Sequence, residues 1–394
     1  MSDLDCEIME ISTISDLLTA IKSLRDLNGS HERFYRGLGD RQYIDFDCPS
    51  IYRKKTSEHE PYIKYEDKIF HDIIAKAPED FSKCENTFEC LVKMQHYGAP
   101  TRLLDVTSNP LVALYFSCVG VDGSVSFEND GAIVIYDIPQ SNVKNFNSDT
   151  VTILSNISKI DNNYKPLYAL LNKFAKDCKK IREFYKGICN DEEIKNYLDS
   201  YDDIKKSLEK EQNNKYREIF DNESNIDKEF LVGAREDYLD FKESSKKKTI
   251  LKKMERIETT IQNNRPHSDI RFDHYIKQEK LFFVHDNINY KDLTSVFCVK
   301  PKLNNPRIIN QNGAFLIFGF ASLTDTKSST VTQHFNYKAL NSNSGKHLHI
   351  KIPKNKKEQL VNQLKLLGID RAFIYPEIEN ISKVITEQYT IKSD

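Results

Sequence analysis

Residues 95–118 read Gln-His-Tyr-Gly-Ala-Pro-Thr-Arg-Leu-Leu-Asp-Val-Thr-Ser-Asn-Pro-Leu-Val-Ala-Leu-Tyr-Phe-Ser-Cys. No other stretch of the chain is so dense in polar groups that can do chemistry. It offers an imidazole at His96, a guanidinium at Arg102 and a carboxylate at Asp105, followed by the hydroxyls and amide of Thr107, Ser108 and Asn109. A second motif, Arg33-Phe-Tyr-Arg-Gly-Leu-Gly39, places Arg36 on an otherwise apolar segment. A cation there is costly without a ligand or a buried acid beside it. Glu66 is one acid able to fill that role. Structural duties compete with chemistry elsewhere. Asp105 and Arg102 can pair with each other, His96 can bond a helix-end carbonyl, and Gln311 can satisfy a strand end.

These side chains need a scaffold. Gly98 and Pro100 make a turn, and Thr101–Val106 can form a short strand carrying Arg102 and Asp105. Thr107, Ser108 and Asn109 then provide helix caps, with Pro110 at a first helical position. The helix Leu111–Cys118 is apolar on all sides and should be buried. A buried helix with hydroxyls and an amide at its N-terminus suits an anionic or polar ligand. Helical periodicity also marks residues 12–27, 61–76, 87–97 and 354–367, the last closed by Gly368. Strand patterns fall at 33–39, 131–137, 281–284, 295–299 and 347–352, and 372–377 forms a last strand or turn. A further strand within 306–319 has Gln311 and Gly313 at its start.

The pattern changes near residue 140. From about 156 to 279 the chain is polar, charged and helical, with a stripe of Ile250, Leu251, Met254 and Ile257 beside a lysine run. That run reads as a solvated face, with a nucleic-acid contact as the alternative. The expected organisation is a first core segment at 1–140, a helical insertion at 141–290 and a second core segment at 291–394. Strands and helices without regular βαβ alternation imply an α+β core interrupted by the helical block.

Charge is balanced, with 57 basic and 59 acidic residues and a net of −2, so nothing pulls the whole chain toward nucleic acid. No apolar run approaches the ~20 residues that span a bilayer. The acidic start, Met-Ser-Asp-Leu-Asp-Cys, predicts no secretory leader. Eight scattered cysteines without a Cys-x-x-Cys pair predict reduced thiols in a cytoplasmic protein. His347 and His349 share a strand face, but without a third ligand in sequence they predict no metal site. No Cys precedes a helix in a strained turn, which argues against a Cys–His hydrolase. Asp45, Asp47 and Asp105 are too few for a metal-dependent nuclease.

At Phe34-Tyr-Arg-Gly37, and again at Gln95–Phe116, the chain resembles the FRG domain family. The second signature, Gln-His-Tyr-Gly-x-Pro-Thr-Arg-Leu-Leu-Asp followed by Asn-Pro and Ala-Leu-Tyr-Phe, is almost intact. Val106 stands where the family usually has an aromatic residue. The resemblance covers about residues 33–137, with a weaker match through Arg307, Gln311, Gly313, Phe315 and Tyr375-Pro-Glu377. It implies a bacterial defence or abortive-infection protein, either a toxin or a phage sensor, with a macromolecular target (RNA, DNA or protein) and an antitoxin or chaperone partner; the missing apolar run predicts no membrane partner. The motif order is also similar to that of ADP-ribosyltransferases. That analogy implies a mainly antiparallel split sheet and NAD as substrate. Under it, Arg36 contacts phosphate or ribose, Gly37 admits the ligand, Tyr97 stacks on nicotinamide, and Thr107 and Ser108 bond the ribose or the amide. Arg102, Asn109 and Gln311 complete the ligand contacts. Glu377 on a last strand, Asp105 and His96 are the catalytic candidates, with Glu379 a rival to Glu377. The alternative is a non-catalytic module that recognises a nucleotide or a phage component.

Overall fold

The computed structural model describes residues 8–24, 29–46, 48–53, 61–120, 124–161, 267–284, 292–319 and 349–389. The 246–257 lysine and apolar stripe, most of the helical block, and His347 lie outside the described residues. The chain forms two compact units. One comprises Met1–Glu66, Asp72–Ser158 and Lys291–Asp394; the other comprises Asp67–His71 and Lys159–Tyr290.

The first unit is built on one eight-stranded sheet. Its strands are β1 (Ile8–Glu10), β2 (His31–Leu38), β3 (Leu103–Thr107), β4 (Gly131–Pro139), β5 (Val143–Asn145), β6 (Val296–Lys300), β7 (Gly313–Phe318) and β8 (His349–Ile352). Their spatial order is β1-β8-β4-β2-β3-β7-β6-β5. Only the two outer pairs, β1–β8 and β5–β6, are parallel; the rest run antiparallel. The helices are α1 (Ile14–Ser23), α2 (Glu66–Lys76), α3 (Pro78–Phe81), α4 (Thr87–His96), α5 (Pro110–Cys118), α6 (Asp149–Asn156), α7 (His267–Glu279), α8 (Pro306–Asn310), α9 (Lys357–Leu366), α10 (Arg371–Ile374) and α11 (Ile378–Gln388). The expected α+β class with a mostly antiparallel sheet is what forms.

The sheet is continuous but unevenly sewn. β2 pairs with β4 over eight residues, and β3 pairs with β7 over five. Between β2 and β3 the register holds a single pair, Tyr35 with Thr107. The sheet therefore opens at its centre, between the two strands that carry the two sequence motifs.

Packing explains why α5 is so apolar. Val112, Ala113, Leu114, Tyr115 and Cys118 are buried in one core with Leu17 of α1, Ile133 and Ile135 of β4, and Leu360 and Leu364 of α9. Two glycines let the α5 backbone lie directly on the sheet. A Cβ at Gly37 would come within 2.0 Å of the Ala113 carbonyl, and one at Gly131 within 2.1 Å of the Ser117 carbonyl. The Gly of the Phe-Tyr-Arg-Gly motif is thus a contact requirement between β2 and α5.

Several expectations are corrected. Residues 281–284 form a turn, not a strand. Residues 306–310 are helical because Asn305 Oδ1 caps the Arg307 amide at 2.9 Å and Pro306 occupies N1; the strand starts only at Gly313. Of the strand or turn expected at 372–377, a helical turn forms at 371–374, since Asp370 Oδ1 accepts from the Phe373 amide at 2.8 Å. Glu377 therefore stands at the N-cap of α11 and not on a strand. β5 and α6 lie in the first unit.

In the second unit, Phe272 and Ile276 of α7 are buried. Lys159 Nζ lies 3.6 Å from Glu279 Oε1 and 5.3 Å from the Tyr275 ring centre.

Candidate functional site

The opening between β2 and β3 holds a cavity of about 250 Å³. β2 contributes Tyr35, Arg36 and Gly37, β3 contributes Asp105, Val106 and Thr107, and α4 contributes Gln95 and His96. Val112 and Phe116 of α5 form a floor, while Arg307, Gln311 and Tyr375 close the far wall.

Arg36 leans across the opening. Its Nη1 donates to the Asp105 carbonyl at 2.6 Å, bridging two strands that hardly pair. The Asp105 side chain is exposed, and its Oδ2 accepts from Gln95 Nε2 at 2.8 Å. The same amide reaches the Leu103 carbonyl at 3.2 Å, and Thr101 Oγ1 donates to Gln95 Oε1. Gln95 therefore pins β3 to the end of α4 and fixes where the carboxylate sits.

His96 is half-buried beside Phe315, with its Nδ1 3.4 Å from Asn305 Nδ2. Burial pushes its pKa below the usual histidine range, and the Arg307 charge acts the same way against the opposing pull of Asp105 and Glu377. At neutral pH the ring is an uncharged base.

The hydroxyl-rich α5 mouth is partly committed to structure. Thr107 Oγ1 donates to the Gln311 carbonyl at 2.6 Å and accepts from the Asn109 amide at 2.9 Å. Asn109 Oδ1 caps the Leu111 amide at 2.9 Å. The Ser108 side chain is exposed, and its amide bonds the Asn312 carbonyl at 3.1 Å. Thr107 lines the cavity; Ser108 and Asn109 do not. Gln311 lines it while its Nε2 donates to the Ile374 carbonyl at 2.9 Å.

Tyr97, Glu379 and Arg102 also lie outside the cavity lining. Tyr97 is 80 % exposed at the C-cap of α4 and outside the lining. Glu379 is exposed on α11 and paired with Lys383 at 2.6 Å. Arg102 is fully buried: its Nε donates to Glu66 Oε1 at 2.8 Å, its Nη2 to Glu66 Oε2, and its Nη1 to the Phe318 carbonyl at 2.7 Å. Glu66 thus pairs with Arg102, and Arg102 does not pair with Asp105.

The far wall brings in residues that sequence reasoning quoted without a role. Arg307 lies 4.6 Å over the Tyr375 ring and 3.8 Å from Glu377 Oε1. Tyr375 packs edge-on against Phe116 at 6.3 Å, and burial raises its phenol pKa. The available signal was Asn305-Pro306, a second Asn-Pro helix start like Asn109-Pro110, which turns the chain just before Gln311. Among the described residues no three His, Cys, Asp or Glu side chains gather as a metal site, and no helix is long and apolar enough to cross a membrane.

An α+β core whose sheet parts around a polar cavity defines the class of molecule. The chain carries an FRG domain, matched over residues 31–124. That segment holds the Arg36, His96 and Asp105 side of the cavity; Arg307, Gln311 and Tyr375 come from beyond it. No curated protein and no solved structure matches the chain.

Proposed function

We propose that this cavity binds NAD and that the protein transfers ADP-ribose to a macromolecule, a nucleic acid or a protein, in the defence setting that the FRG resemblance implies. One observation carries the reading: a guanidinium, a neutral imidazole and a carboxylate from three elements of the FRG domain converge on a single cavity with aromatic walls. Arg36 presents a planar fork of donors suited to phosphate. Phe116 offers an aromatic surface for the nicotinamide ring, a role Tyr97 is too exposed to fill. At about 250 Å³ the cavity sits just below the roughly 300–1,000 Å³ of small-molecule sites, so it suits the reacting end of a dinucleotide.

In the transfer, the bond between ribose C1′ and nicotinamide nitrogen breaks, and its electron pair leaves on the nicotinamide. Asp105 faces the cation that develops on the ribose and stabilises it. The acceptor's lone pair forms the new bond to C1′, and its proton passes to neutral His96. Asp105 takes precedence over Glu377 because it lines the cavity, whereas the Glu377 side chain is 48 % exposed and paired with Arg307.

A non-catalytic nucleotide sensor is the second reading. It is favoured by both nearby carboxylates having partners, Gln95 for Asp105 and Arg307 for Glu377. Incubating the purified chain with labelled NAD and cell extract separates the two. Label transfer that disappears in Arg36→Ala and Asp105→Asn supports the transferase. NAD bound but intact in every extract supports the sensor and overturns transfer.

A further inference from the structure

We infer that Arg307 and Tyr375 form a second anion clamp, which grips the diphosphate of a nucleotide opposite Arg36, and that Glu377 holds Arg307 until the nucleotide displaces it. The inference rests on the nucleotide site proposed above, but not on ADP-ribosyl transfer.

The Arg307 guanidinium is poorly satisfied. Its Nε is buried and finds no acceptor among the described residues. Its Nη1 stands 3.8 Å from Glu377 Oε1, which is within ion-pair range but too long for a hydrogen bond. A buried donor left unpaired at a cavity wall is costly, and a ligand oxygen there would relieve that cost. Tyr375 sets the direction of the group: the guanidinium lies 4.6 Å over its ring, and Phe116 holds that ring edge-on. Among the described residues, the cavity lining carries two guanidinium charges, Arg36 and Arg307, against one carboxylate, Asp105. The two cations come from separate elements, β2 and α8, so a ligand with two linked phosphate groups can engage both at once. Glu377 is about half exposed, its other oxygen accepting from Asn380 Nδ2 at 3.4 Å, and so partly exposed a pair is weak enough for a stronger anion to replace.

The test titrates ADP, sodium pyrophosphate and adenosine into the full chain by calorimetry at low ionic strength. Wild type is compared with Arg307→Gln, Arg307→Lys and Glu377→Gln, and a thermal melt of each variant confirms folding. ADP and pyrophosphate should bind, with adenosine on the order of tenfold weaker than ADP. Arg307→Gln should weaken ADP by about tenfold, with Arg307→Lys between it and wild type. Glu377→Gln should tighten ADP about threefold, because the competing carboxylate is gone. The clamp is overturned if wild type binds neither ADP nor pyrophosphate, if Arg307→Gln stays within about twofold of wild type, or if Glu377→Gln weakens binding. ADP held through Arg307 while NAD is never consumed contradicts the transferase and leaves the clamp standing. Label transfer with ADP binding indifferent to Arg307 contradicts the clamp and leaves the transferase.

Discussion

Arg36 and Arg102 belong to the two motifs that mark the FRG domain, yet their surroundings differ in kind. Arg102 is 1 % exposed, and its donors reach both Glu66 oxygens and two backbone carbonyls, those of Phe318 and Gly319. Arg36 is half-buried and lines a cavity, and its Nη1 donates to a main-chain oxygen, that of Asp105. A saturated guanidinium ties secondary structure together, here β3 to α2 and the end of β7. One placed where the sheet opens is positioned to meet a ligand. The same side-chain type in one domain signature therefore occupies two kinds of place, and burial in the core against lining of a cavity tells them apart.

The comparison breaks most visibly at Arg102. Arg102→Ala strands the Glu66 carboxylate in the core and should cost about 3–5 kcal/mol in denaturant unfolding. Arg102→Met combined with Glu66→Leu should recover much of that loss, because no charge is then left unpaired. Gly37→Ala comes next. A methyl group 2.0 Å from the Ala113 carbonyl must push α5 off β2, for about 1–3 kcal/mol of lost stability. Any loss of ligand binding in that variant reports displaced geometry and not missing chemistry.

Much of this architecture was readable in the chain. The β2 motif, the Asn-Pro start of α5 and the buried run of β4 each declare their structure through local rules, and each forms close to the expected bounds. The cavity's FRG side was also legible, since Arg36, His96, Asp105 and Thr107 all come from the two motifs. What stayed hidden depends on long-range partners. Nothing near Arg102 in sequence shows that Glu66 reaches it from α2, or that Gln95 takes the Asp105 carboxylate. Residues 372–377 look like a strand by composition, yet the Asp370 cap outweighs that preference. Arg307 gained its place from tertiary packing against Tyr375, which no local pattern reports.

The smallest effect sharpens the cavity side. His96 has a pKa below its unfolded value, so the unfolded chain binds the extra proton more readily. Its contribution to stability is complete above about pH 6.5 and fades as pH falls through the lowered folded value. His96→Asn should flatten that acid limb in urea unfolding measured between about pH 5 and 7, by under ~1 kcal/mol. An unchanged limb would mean that the ring titrates as in water.

The division between the two arginines is tested most directly by measuring unfolding free energy and NAD affinity on the same Arg36→Ala protein. The predicted result is stability within about 1 kcal/mol of wild type with affinity down on the order of tenfold. Stability lost on the scale of Arg102→Ala, or affinity left unchanged, would make Arg36 another structural tie and contradict the account.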